Sequence, residues 1–495
     1  MRAIKFVIKF LIVVIAIIVF MNASLYAQEK RLINIEKRIE YLQKQIDELK
    51  RILNMDKQKN QFKRKAYRKE LVKLKSKKSV EFVNPYGIKI SFGGQYRINF
   101  YNARNEGNNI LLDHDDQRAA RLRIRQNIDI KFNNNFSTYL QIELQHTSDN
   151  ITTTDLRLGN KSTELSVRHA VMEYISRDGI VLKAGILPLH DYFHDTLFSS
   201  NWDYNPVAGS LIFPVGKGKL RIFGANLKEG EENISQDDFI HYQIDYIVNI
   251  HKYQFVFSGT ALNLQQDPSY GKDDGWHYNY GFSYSFPFKN SWNINGFLVG
   301  SYTDRKLLGT KNNAHGIAIF AELVGNLGKG RFGFLISHAT GDKHGEGFLP
   351  PMAFAKTFGY WGYTGILTVQ GPTDTGFDFD GVNISNNGLG LTTVQIKYQF
   401  PLIYKLYGYT AIGWFGNTNP PERRSNMLGI DLLAIGTYKL NNYLKLDLGI
   451  AYAHLKDSVS GYFQGVQHAG KVLFNQDVGK TRDKFVTFGR LQAEF

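Results

Sequence analysis

The chain has 495 residues, of which 14% are aromatic and 21% are charged, and its mean hydropathy is −0.30. This composition is too polar for a bundle of transmembrane helices, while 46 Gly with only 12 Pro favours many β-strands joined by tight turns. Cysteine is absent, which excludes disulfides, Cys-ligated zinc, iron–sulfur clusters and a Cys nucleophile.

The formal net charge of +15 is concentrated near the N-terminus. Almost all of it falls within residues 1–80, and the rest of the chain is nearly neutral. A nucleic-acid-binding protein would carry its basic residues as a patch on the folded body. The charge distribution therefore argues against nucleic acid as a partner.

Residues 1–27 are typical of a secretory signal peptide. A short basic stretch precedes an apolar run at residues 10–21, and cleavage is expected after Ala27. An uncleaved inner-membrane anchor is the alternative, but the run is shorter than the roughly 20 residues that span a bilayer. The sequence therefore predicts export from the cytoplasm.

Residues 28–55 are predicted to form a periplasmic α-helical coiled coil. Apolar residues recur there at alternating spacings of three and four, which are the a and d positions of a heptad. A helix folded back on its own domain is the alternative. Residues 56–85 then form a basic connector that is either solvated or in contact with peptidoglycan or another anionic polymer of the periplasm. The seam residues are Leu32, Ile35, Ile39, Leu42, Ile46, Leu49 and Leu53.

The remainder, residues 86–495, contains long segments in which apolar and polar side chains alternate. The alternation runs without a break over residues 87–101, whereas soluble strands average about five or six residues. Strands of this length can cross a bilayer obliquely, with the apolar face towards lipid. We expect Ile88, Phe92, Tyr280 and Leu446 to face lipid and Arg97, Arg123 and Asn279 to face the interior.

Short turns and long loops alternate between these segments, as in outer-membrane barrels. The sequence therefore predicts an all-β fold, a transmembrane antiparallel β-barrel of about 18 strands. Sixteen strands is the runner-up, because residues 205–235 are difficult to divide. An even number would return both chain ends to the periplasm.

The last strand is amphipathic and ends in Phe495, which resembles the assembly signal of bacterial outer-membrane porins. Segments 118–125, 167–171 and 183–185 add loose motifs. With the signal peptide and coiled coil, the whole chain resembles coiled-coil-bearing porins of the phosphate-selective or alginate-export type. The resemblance implies passive transport across the outer membrane, contact with its lipids, and insertion by the barrel assembly machinery. It also implies a homo-oligomer, a trimer by analogy with porins, although the side chains of the seam favour a dimer.

Charged side chains on the predicted polar face are the candidate channel-lining residues. A row of guanidinium groups along a water column would attract anions, because low-dielectric walls weaken screening. The alternative is that acids on the same face neutralise the row structurally. The candidates are Arg97, Arg121, Arg123, Arg125, Asp129 and Glu143.

The loop at 188–207 follows the fifth predicted strand, the position from which general porins fold a loop into the pore. Its aromatic and acidic side chains suit the recognition of sugars. A loop outside the cell that packs on its neighbours is the alternative. The candidate constriction residues are His190, Asp191, Tyr192, His194, Asp195, Trp202 and Asp203.

No metal site, cofactor or catalytic site is predicted. His190 and His194 would need a helix to share a metal, and nothing caps one there. Residues 378–383 resemble the opening of a calcium loop without its distal Glu, and no phosphate loop or Gly-x-Ser-x-Gly motif occurs.

The sequence thus predicts a passive outer-membrane pore for small hydrophilic solutes rather than an enzyme. One alternative is a tether that joins the outer membrane to the cell wall through the coiled coil. Another is a channel specific for the export or uptake of oligosaccharides or polysaccharides.

Overall fold

The computed structural model describes fifteen stretches of the chain. The predicted signal peptide, the coiled-coil seam and most of the basic connector lie outside them. Within the described residues, no helix is long and apolar enough to cross a membrane. The described residues are 80–84, 87–105, 116–148, 163–202, 204–228, 238–264, 275–288, 291–308, 312–351, 354, 362–368, 382–386, 388–420, 425–456 and 483–495.

In this part of the chain, nineteen strands form one sheet in which every described pairing is antiparallel. Two short helical turns accompany them, a 3₁₀ turn at Ser200–Trp202 and α1 at Arg305–Leu308. The strands are β1 (Val80–Val83), β2 (Lys89–Asn105), β3 (Asp116–Lys131), β4 (Phe136–Ser148), β5 (Thr163–Ile175), β6 (Val181–Ile186), β7 (Val207–Val215), β8 (Gly218–Lys228), β9 (Phe239–Ile250), β10 (Tyr253–Leu264), β11 (Gly275–Phe288), β12 (Trp292–Thr303), β13 (Ala314–Leu327), β14 (Gly330–Ala339), β15 (Leu391–Ile403), β16 (Leu406–Asn417), β17 (Met427–Lys439), β18 (Leu444–Leu455) and β19 (Lys484–Glu494).

Strands β2 to β19 close into a barrel of 18 strands, which confirms the predicted architecture. Closure occurs where β19 pairs with β2, and Phe495 and Gly94 exchange backbone hydrogen bonds of 2.8 and 3.1 Å. The alternative of 16 strands is wrong, because residues 205–235 contain both β7 and β8. These two strands are joined by a tight turn at Gly216 and Lys217.

The two faces of the barrel wall differ in chemistry as the alternation predicts. On β11, Tyr280 is 60% exposed on the outside, while Asn279 is 1% exposed on the inside. On β2, Tyr96 and Ile98 are exposed on the outside, and Arg97 between them is buried. The outer surface is therefore apolar and the inner surface is polar, the division that suits a barrel surrounded by lipid.

The end of the predicted connector forms β1, which lies where β2 and β19 close the barrel. β1 pairs with the first residues of β2, on the edge of β2 that β19 occupies further along. Phe82 of β1 packs edge to face on Phe92, with ring centroids 6.0 Å apart, and Phe495 packs in the same way on Tyr96 at 5.2 Å. The chain therefore enters the barrel beside its own C-terminal residue.

An arginine on the outer face tests the assignment of that face to lipid. Leu298 lies in the middle of β12 and is 38% exposed on the outside. Leu298→Arg should lower the free energy of unfolding by about 2–4 kcal/mol, because a charge near the bilayer midplane loses its hydration. Urea titration of the barrel in phospholipid vesicles measures this loss. Leu298→Ala is the control, and equal stability of the two variants would contradict a lipid-facing surface.

Candidate functional site

The segment between β6 and β7, residues 187–206, folds into the barrel and reaches β12, six strands further along the wall. We call it inward loop A. Phe193 packs edge to face on Phe297 of β12, with ring centroids 5.5 Å apart. Phe198 packs on Phe223 of β8 at 6.4 Å. β6 is the fifth strand of the barrel, so this is the place in which the sequence predicted a constriction.

One buried carboxylate holds the tip of inward loop A together. Asp191 is 6% exposed, and its two oxygens accept four backbone N–H groups. Phe193 and Asp195 donate to Oδ1 at 2.6 and 2.9 Å, and Leu197 and Phe198 donate to Oδ2 at 2.6 and 2.8 Å. Four backbone donors from residues 193–198 converge on this one side chain, so Asp191 fixes the course of the loop.

The remaining side chains of the loop tip have separate partners. Arg221 of β8 donates to the backbone oxygen of His190 at 2.9 Å, and its guanidinium lies 4.4 Å from the Tyr192 ring. His190 Nδ1 lies 2.9 Å from Asp195. Burial lowers the pKa of His194. Its ring stacks on Phe297 of β12 and Phe320 of β13. The side chain of Trp202 and the whole of Asp203 lie outside the described residues.

A β-bulge in β5 holds the base of inward loop A. The register between β4 and β5 shifts at Gln141, where the extra residue is Arg168. A bulge can re-aim a side chain, and here both Arg168 and His169 are buried inside the barrel. Arg168 donates to Gln141 Oε1 at 2.8 Å and to the backbone oxygen of Ser200. His169 Nε2 lies 2.9 Å from Asn205 Oδ1, so two adjacent residues anchor the loop.

A glycine lets the chain leave β6 towards the interior. Gly185 has a φ of 122°, a conformation that side-chain-bearing residues rarely adopt. A Cβ there would lie 2.0 Å from the backbone oxygen of Ala170. The segments 167–171 and 183–185, which carry part of the resemblance to porins, therefore contain the bulge and the glycine that position inward loop A.

A second part of the chain, formed by residues 348–351, 354 and 362–368 between β14 and β15, also enters the barrel. We call it inward loop B. Asn279 of β11 donates to the backbone oxygen of Leu349 at 3.0 Å, and the Leu349 N–H donates to Ser301 of β12 at 3.1 Å. Phe354 packs on His277 with ring centroids 4.7 Å apart. These contacts join the loop to the inner face of two strands.

Further along, inward loop B is held by charged side chains of three strands. Asp431 of β17 is fully buried and accepts the N–H groups of Ile366 and Leu367 at 2.8 and 2.6 Å. Tyr363 donates its hydroxyl to Glu322 of β13, and the Lys397 ammonium of β15 lies 3.8 Å from the Tyr363 ring centroid. The sequence predicted long loops between strands but not the path of this one into the interior.

The predicted arginine row lies on the inner face of β2 and β3. Arg97 of β2 stands directly opposite Arg123 of β3 in the strand register. Arg121 and Arg125 flank Arg123 on the same face of β3, and these three side chains are partly exposed. By contrast, interior side chains beneath the inward loops, such as His277, are fully buried. Water therefore reaches the three arginines of β3, whereas Arg97 is buried.

The two predicted acids of this wall are placed differently. Glu143 of β4 accepts a hydrogen bond from Arg125 Nε and lies 3.8 Å from Arg168 Nε. Asp129 is exposed and lies near the end of β3. Arg123 donates to a neutral acceptor, Gln95 Oε1, at 2.8 Å. Glu143 thus offsets part of the charge of the row.

Comparison with known proteins identifies the fold and leaves the family open. The sequence matches no protein-family model and no curated protein. OccK9 (OpdG) of Pseudomonas aeruginosa is similar in structure, with a TM-score of 0.52 and 12% identity over 82% of this chain and 98% of that chain. OccK11 (OpdR) of the same organism gives a TM-score of 0.50 and 12% identity over 82% and 96%. A BenF-like porin from Pseudomonas fluorescens Pf-5 gives 0.50 and 11% over 82% and 99%.

The fold is therefore that of an outer-membrane porin with an 18-stranded barrel. The resemblance to phosphate-selective or alginate-export porins is not supported, because the structural neighbours are OccK and BenF-like porins.

Removing the Asp191 carboxylate tests whether inward loop A narrows the interior. Asp191→Ala leaves four buried N–H groups without their acceptor, and each such loss costs about 1–3 kcal/mol. We expect the loop to become mobile and the single-channel conductance and current noise in planar bilayers to rise, while the barrel stays folded. Asp178→Ala, in the exposed turn after β5, is the control. Unchanged conductance in the Asp191 variant would mean that the loop does not limit the current.

Proposed function

We propose that the chain is a passive outer-membrane channel for small hydrophilic solutes and that it favours anions. The observation that carries this proposal is the pairing of Arg97 with Arg123 on the inner face of a closed barrel, beside the partly exposed Arg121 and Arg125. Two inward loops occupy other parts of the same interior. The proposal places solute movement along the arginine-bearing wall.

Electrostatics gives the reason for the anion preference. Like charges directly opposite each other destabilise a pair of strands, so facing arginines carry a cost to folding. In a narrow passage with low-dielectric walls, the same charges attract anions and repel cations. Glu143 offsets Arg125 and thereby limits the preference.

Features of the exterior support an outer-membrane location. Exposed apolar side chains cover the outer face of the strands, and outer-membrane lipids would be their partner. The signal peptide predicted at residues 1–27 would bring the chain to the periplasm. The terminal strand and Phe495 would then direct insertion by the barrel assembly machinery.

The heptad seam supports a second role as a tether. Residues 32–53 would self-associate in the periplasm as a dimer or a trimer, and the basic connector would contact peptidoglycan or a similar anionic polymer. One chain can perform both roles, because the barrel and the seam are separate stretches of sequence. Stable conducting steps in planar bilayers distinguish a channel from a silent barrel that serves only as an anchor.

Neutralising the arginine row tests the anion preference. In a variant with Arg97, Arg121, Arg123 and Arg125 replaced by Gln, the reversal potential in a salt gradient should move towards that of cations. The barrel should still fold, because Gln is polar and Glu143 keeps its hydrogen bond from Gln145 and its contact with Arg168. The difference from wild type should shrink as salt rises above about 0.1 M, where the Debye length is about 10 Å.

A matched control removes the same charge from the rim. Four exposed basic residues lie in the short turns after β5, β7, β9 and β13, and their replacement by Gln should leave the reversal potential nearly unchanged. An equal shift in both variants, or no shift in the first at low salt, would refute the role of the arginine wall. The control positions are Arg177, Lys217, Lys252 and Lys329.

A further inference from the structure

The outer surface of the barrel carries a groove over β10. It is a cavity of about 400 Å³, and its walls are Tyr242 and Ile244 of β9 on one side and Tyr278 and Tyr280 of β11 on the other. The floor is Gly259 with the neighbouring Ala261. The small side chains of β10 thus lie between the larger side chains of β9 and β11. This difference in size forms the groove on the lipid-facing surface.

The groove exists because two of its tyrosine rings extend away from β10, over the next strands. The Tyr242 ring extends towards Gly224 of β8, where a Cβ would meet it at 3.9 Å, and the Tyr280 ring covers Gly300 of β12, where a Cβ would lie 2.9 Å from it. At Gly259 itself, a Cβ would meet only Ile244 Cγ2, at 3.3 Å. The space above β10 is therefore open.

A polar cavity of about 720 Å³ adjoins the groove at the rim where β12 ends. Tyr302 lines both cavities, and its hydroxyl accepts a hydrogen bond of 2.8 Å from Asn313. In the strand register Tyr302 stands between Tyr278 and His315, so the groove continues directly into the polar cavity. The polar lining also includes Arg305, Asn312, Asp342 and Glu346.

We propose that the groove and the polar cavity together bind one glycolipid of the outer leaflet. An acyl chain lies in the groove over Gly259, and the sugar headgroup occupies the cavity above Tyr302. The proposal rests on the outer-membrane location given under the proposed function, and it is independent of ion selectivity.

The chemistry of the two cavities matches the two ends of such a molecule. Tyrosine rings offer an apolar body to an acyl chain and a hydroxyl to the headgroup level. Carboxylates of Asp342 and Glu346, the amide of Asn312 and the guanidinium of Arg305 offer both acceptors and donors, which suits the hydroxyl groups of a sugar. Asp342 accepts one hydrogen bond from the His344 N–H at 2.7 Å and Glu346 accepts one from the Asn312 amide at 3.3 Å, so each carboxylate keeps acceptor capacity for a sugar hydroxyl group.

Filling the groove gives the decisive variant. Gly259→Leu places a side chain over β10 at a position where only Ile244 must move slightly. The probe is purified lipid A, titrated into delipidated full-length protein in detergent, with the bound fraction read by native mass spectrometry. We expect binding about tenfold weaker than in wild type, because contact with a few methylene groups is lost. Arg305→Ala combined with Glu346→Ala should weaken it about fivefold through loss of headgroup hydrogen bonds.

The control is Gly436→Leu, which also adds an outward-facing leucine in open space, on β17. It should bind lipid A as wild type does. Equal binding by the Gly259 and Gly436 variants, or equal affinity of wild type for lipid A and phosphatidylethanolamine, would overturn the proposal. A lipid-free dimer that only Gly259→Leu disrupts would also overturn it, because the groove would then be a contact between copies of the chain. Planar-bilayer currents test the channel proposal separately, so a failure of the glycolipid proposal can be told apart from a failure of the channel proposal.

Discussion

The closure of backbone hydrogen bonding between β19 and β2 is the constraint on which the rest of the structure depends. Inside a bilayer no water is present to satisfy unpaired N–H and C=O groups, so a sheet can span it only as a closed ring. Pairing of Glu494 with Gln95 and of Phe495 with Gly94 completes that ring. Once the ring is closed, alternation along each strand fixes which side chains meet lipid and which meet the interior.

A barrel of this size encloses more space than its own wall side chains fill, and two loops occupy part of it. Each loop is held by a buried aspartate that accepts backbone N–H groups, Asp191 within inward loop A and Asp431 of the wall against inward loop B. This arrangement satisfies the loop backbone far from bulk water. The loops thereby leave the interior asymmetric, with fully buried polar groups beneath them and partly exposed arginines on β3.

Alternation of period two was sufficient to predict the strands, the barrel and the inner placement of Arg97 and Asn279, because strand geometry depends only on local sequence. The path of inward loop B could not be predicted, because a loop with many apolar residues packs equally well on neighbouring loops or inside the barrel. A detectable signal was overlooked at Arg168 and His169. Two consecutive polar residues interrupt the alternation of β5, and the structure places a bulge there.

The most direct test of the account is whether inward loop A crosses the barrel interior. The chain has no cysteine, so cysteines introduced at Phe193 and Phe297 would be its only thiols. The two rings are 5.5 Å apart, and the control pair combines position 193 with Leu298, which faces outwards on the same strand. We predict that a short bifunctional thiol reagent joins 193 to 297 in the folded barrel and does not join 193 to 298. A folded barrel in which the first pair fails to cross-link, or in which both pairs react equally, would contradict the account.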